Sequence, residues 1–243
     1  MDGVISISAP AGRPARAFLA GLAVLSAAGW AWSLQLASGA HHGLGLVPRA
    51  VMWAAMMVGM MVPPEVPMML GLLAEVGAQG WAAVRRASVV LIGYLAVWTL
   101  ASVGLAVVDA RLTEWGLMSH GMASQSVALS VGILFAAGAV QLSPWKRRCL
   151  ALCRAAPSWV RAREVGGLRA GVEHGATSLG SCGVLMLVLF VVGAMNVTAM
   201  VVLTGFLVAE RLLPAPQVRA LGWLGGLLLL GWGARLATGA LVG

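Results

Sequence analysis

The chain has 243 residues, 60% hydrophobic and 10% charged, with a net charge of +8. Long apolar runs recur along it, which excludes an ordinary soluble domain and reads as one integral membrane domain over residues 1–243. The basic residues lie between the apolar runs, with no basic amphipathic stripe and no RNA-binding signature. That excludes nucleic acid as a partner and points to a lipid bilayer with anionic headgroups. Three cysteines give no disulfide framework.

The predicted architecture is all-α: a polytopic membrane bundle of six transmembrane helices, each near the ~20 residues needed to cross. Arg13 and Arg16 precede an apolar run of about 20 residues, longer than the roughly 7–15 of a signal-peptide core. It therefore reads as the first span, Phe18 to Leu36. The second span, Ala50 to Val76, holds WAAMMVGMMVPPEVPMML and is expected to break at Pro63-Pro64, since Pro64 and Pro67 have no N–H to donate. Met57, Met61, Glu65 and Met68 follow spacings of four, four and three, which puts them on one face if the helix runs on. Methionine alone packs as a flexible apolar filler. An ionised carboxylate in hydrocarbon costs several kcal/mol unless it is paired or neutralised, so Glu65 marks a site.

The third span is Ala87 to Val108 and the fourth Ser124 to Leu142. His41-His42 and His120 fall in or beside the connections on the side opposite the basic loops. A basic loop over 143–180 follows, expected on the cytoplasmic side. It opens with Cys149 and Cys153 four apart, a spacing at which two thiolates share a helix face and hold a soft metal incompletely. His174 lies further on in a Gly-rich bend, and Cys182 leads into the fifth span, Ser181 to Ala209. There Gly193, Asn196, Met200 and Thr204 share one face. Counting residues inward predicts that Glu65 and Asn196 lie at matching depth, so that the second and fifth spans close a site from Met57, Met61, Glu65, Asn196 and Met200. The sixth span, Val218 to Leu241, is rich in glycine and suits close helix packing.

Eleven basic residues fall on the side of the 143–180 loop and four, among them Arg211 and Arg219, on the other. This asymmetry predicts a bacterial-type inner membrane with both termini cytoplasmic.

The ordered set WAAMMVGMMVPP, QLSPWKRRCLALCR, His174-Gly175, Met195-Asn196 and the late Ala-Glu-Arg resembles domain of unknown function 2182, a family described as predicted metal-binding integral membrane protein. The resemblance runs from the second to the sixth span. It implies characteristic positions at Met56, Met57, Pro63, Gln141, Pro144, Lys146, Cys149, Cys153, Arg154, His174, Gly175, Met195, Asn196, Met200 and Glu210. Where that family often has C-L-G-C-C-W, this chain reads S-L-G-S-C-G and keeps only Cys182.

Thioether and thiolate donors favour Cu(I), so the expected function is to bind, handle or transport a soft transition metal, copper first. The Met/Glu/Asn set would serve in the core and Cys149, Cys153, His174 and Cys182 on the cytoplasmic side, with a membrane or soluble protein as partner. Two alternatives remain open: a subunit of a copper-dependent membrane oxidase or monooxygenase, and a structural or assembly subunit. No P-loop, nucleophile elbow or dinucleotide fingerprint is present.

Overall fold

The computed structural model describes residues 12–37, 45–75, 80–119, 122–162 and 167–242. Apolar sequence punctuated by cap residues gives helices throughout: α1 (Arg13–Ala37), α2 (Leu46–Glu75), α3 (Trp81–Glu114), α4 (Val127–Leu142), α5 (Pro144–Arg154), α6 (Ala156–Ala162), α7 (Gly167–Met186), α8 (Val188–Val192), α9 (Val197–Leu212) and α10 (Ala215–Val242). Ser126 Oγ accepts from Leu129 N and Ser143 Oγ from Lys146 N, so serine caps fix the starts of α4 and α5. Pro144 in the first turn of α5 needs no N–H there. Five helices, α1, α2, α3, α7 with α8, and α10, are long and apolar enough to cross a bilayer. A sixth is reached if α4 and α5, bent by 61° where they meet, count as one. The pair His41-His42 and His120 lie outside the described residues.

The expected break in the second span is absent. α2 runs unbroken from Leu46 to Glu75 with Pro63, Pro64 and Pro67 inside it. Neighbours take up carbonyls in the stretch that the prolines disturb. Gly59 O, four residues before Pro63, accepts from Ser26 Oγ of α1 at 3.1 Å, and Met61 O accepts from Tyr94 Oη of α3 at 3.4 Å. A proline helix persists where adjacent helices re-satisfy its backbone in this way.

The break lies in the fifth span instead. Gly193 sits at φ 100°, a conformation that glycine adopts at no steric cost. After it Asn196 caps α9, its Oδ1 accepting from Ala199 N. The helix that holds His174 begins at Gly167, so among the described residues the predicted loop over 143–180 consists mainly of α5, α6 and the first two-thirds of α7. From the 193–196 turn, α9 runs back along α7, bringing Arg211 Nη2 to 3.1 Å from Ser178 Oγ.

That reversal decides where the chain ends. Arg154 Nη1 donates to Glu210 O, and Lys146 Nζ pairs with Glu210 at 2.8 Å, so the end of α9 lies beside α5. α10 then starts at the same end and runs antiparallel to α4. A Cβ built on Gly226 would meet Leu142, and one on Gly233 would meet Leu134. Arg13 and Val242 therefore lie at opposite ends of the bundle, which corrects the expectation of termini on one side. Arg211 and Arg219 belong to the basic end with Arg147, Arg148 and Arg154, and the charge asymmetry sharpens.

The closest packing is between α3 and α7. A Cβ on Gly171 would lie 2.1 Å from Val90 O, and one on Gly93 2.4 Å from Leu168 O, so the two backbones touch through their glycines. This contact sets one turn of α3 against one turn of α7 and places Tyr94 over His174, ring centroids 5.4 Å apart.

Candidate functional site

The interior is built on thioethers. Every methionine after Met1 belongs to the core cluster or packs against it. Met52, Met56, Met57, Met60, Met61, Met68 and Met69 are buried along α2, with Met186 from α7 and Met200 from α9. Met52 to Met69 covers about 25 Å of helix. The column runs from the Trp53–Phe190 ring contact near the 193–196 turn to the basic end.

At the basic end of that column a polar group closes the bundle. Glu65 is 1% exposed and His174 fully buried, and Glu65 Oε2 lies 2.5 Å from His174 Nε2. Arg211 Nη2 lies 3.1 Å from the other carboxylate oxygen. Tyr94 Oη reaches to 3.5 Å of Ser178 Oγ, which also accepts from Arg211. His174 Nδ1 is buried with no hydrogen-bond partner among the described residues. One carboxylate thus ties α2 to α7 and α9, and removing it would strand a guanidinium.

Beside it lies a second buried set. Gln141 Nε2 donates to Glu210 Oε1 at 3.0 Å, and Lys146 Nζ reaches both side chains. This set joins α4, α5 and α9. A third ion pair, Arg49 to Asp109 at 2.8 Å, holds α2 to α3 at the opposite end.

The three thiols are free and buried. Cys182 Sγ faces Ser178 O at 3.1 Å, and Cys153 Sγ lies 3.4 Å from Thr177 Oγ1. Cys149 packs against Gly180, where an added Cβ would lie 3.1 Å from its sulfur. Two small voids adjoin the prolines of α2, with Pro64 in the wall of both. The first, of about 10 Å³, has Met61, Cys182, Glu210 and Arg211 in its wall. The second, also about 10 Å³, is bounded by Pro64, Pro67, Met68, Cys153, Arg154 and Arg211. Each has room for one water-sized occupant and offers one thioether and one thiol. Among the described residues no three His, Cys, Asp or Glu side chains converge on a point that could hold an ion.

The predicted set is therefore partly reassembled. Met57, Met61 and Met200 are all in the core, with Met56 beside them, and Met195 packs against it half-buried. Asn196 does not meet Glu65. It is exposed at the start of α9, about 22 Å of helix from Arg211. The depth argument failed because it started the fifth span at Ser181, fourteen residues after the helix begins at Gly167. His174 meets Glu65 rather than a cysteine cluster. Sequence reasoning left out Arg211, Tyr94 and Ser178. The signals were present: Glu210-Arg211 closes an apolar run, and Tyr94 is the sole tyrosine of the chain, set in another.

Residues 50–236 match the family model PpoB2, described as a copper chaperone. No curated protein and no solved structure matches the chain.

Proposed function

This chain belongs to the PpoB2 copper chaperone family, and from that membership we propose that it is a membrane-embedded carrier of Cu(I). It takes the ion as cargo into the bundle and passes it to a protein partner. The observation that carries the reading is the buried thioether column with a void between Met61 and Cys182 toward its basic end. Neutral thioethers bind Cu(I) softly and reversibly, and a thiolate beside the column gives a tighter stop. The bundle spans the bilayer with its basic end toward the cytoplasm, because basic residues stay on that side. On this reading Glu65, His174 and Arg211 hold the three helices that wall the stop, and Gln141, Lys146 and Glu210 hold the fourth and fifth.

Cys182→Ser is the test. Serine keeps the size of the side chain and removes the soft anionic donor. Purified protein, loaded anaerobically with Cu(I), should lose at least about tenfold in affinity, about 1.4 kcal/mol. An unchanged affinity in the variant would overturn the assignment of Cys182.

A further inference from the structure

We propose, resting on the copper reading above, that the void bounded by Met68 and Cys153 is a second Cu(I) station, the one from which the metal leaves. It is distinct from the Met61–Cys182 void and shares only Pro64 and Arg211 with it. Met68 is seven residues beyond Met61 on α2, about 10 Å closer to the basic end. Cys153 comes from α5, whose Arg147 and Arg148 are exposed.

Charge separates the two stations. The first is balanced, since Arg211 in its wall pairs with Glu65 and Glu210 with Lys146. The second has Arg154 as well as Arg211 and no carboxylate. A cation is therefore held less firmly in the second, by ordinary Coulomb repulsion in a weakly screened interior. Glu65 Oε1, 3.1 Å from Arg211, anchors the guanidinium between the two. Transfer is a ligand exchange. The bond from copper to the Cys182 sulfur breaks as the bond to Cys153 forms. One proton passes from the Cys153 thiol to Cys182, and copper remains Cu(I). A tight inner stop followed by a weak outer one is what release to an incoming thiol requires.

The experiment uses the full-length protein in detergent, titrated anaerobically with Cu(I) supplied as its acetonitrile complex and challenged with a Cu(I) chelator. The wild type should bind two Cu(I) of unequal affinity, released in a fast and a slow phase. Cys153→Ser and Met68→Leu should each bind one and lose the fast phase, at an unchanged melting temperature. Two Cu(I) and a normal fast phase in both variants would overturn the proposal, as would saturation of the wild type at one. The inner station fails by a different result, a Cys182→Ser protein that still binds two.

Discussion

Glu65→Ala is expected to cost about 3–5 kcal/mol of stability, the usual penalty for breaking one side of a buried ion pair. Glu65 is 1% exposed and faces Arg211 at 3.1 Å and His174 at 2.5 Å. Removing it leaves the guanidinium with Ser178 as its one hydrogen-bond partner among the described residues and strips His174 Nε2 of its partner. Arg211→Met added to Glu65→Ala should restore part of the loss, since it removes the stranded guanidinium and leaves the cavity of the shortened side chain. Thermal unfolding in detergent measures both. A Glu65→Ala protein as stable as the wild type would contradict the account, and so would a double variant no better than the single one.

Gly171→Leu should be still more disruptive, because no flexible side chain can yield to it. The added Cβ would meet the Val90 carbonyl oxygen at 2.1 Å, and Gly93 Cα at 3.0 Å. The helices must part, at more than the roughly 1–3 kcal/mol usual for an overpacked core. The stacking of Tyr94 on His174, one turn along, goes with it. Gly104→Leu is the control: a Cβ there meets nothing within 4 Å. The expected result is little folded Gly171→Leu protein and a near-normal Gly104→Leu melting temperature. Equal yields and melting temperatures for the two would refute the packing.

The helical class and the positions of most helices were legible because apolar runs near 20 residues leave few alternatives. Where helices stop was harder to read. Proline is the stronger local breaker, yet Pro63, Pro64 and Pro67 stay helical, and Ser26 of α1 takes up Gly59 O, the carbonyl that Pro63 leaves without its helical donor. Gly193 and Asn196 look milder in sequence, yet they turn the chain back. That turn depends on tertiary contacts: Ala194 N donates to Met122 O, and Ser124 N to Phe190 O. One misplaced break then moved Arg211 to the wrong end and hid its pairing with Glu65. Glu65, the methionines and Cys182 were legible as candidates, because a carboxylate and soft donors in apolar sequence stand out whatever the topology; the structure buries Glu65 and Cys182.

The most direct test of the account is copper X-ray absorption on protein loaded with one Cu(I) per chain. With the second station disabled by Cys153→Ser, Met61 and Cys182 predict a first shell of sulfur, and one sulfur fewer when Cys182→Ser is added. A shell dominated by nitrogen or oxygen, or one left unchanged by adding Cys182→Ser, would contradict the claim that this void holds the cargo.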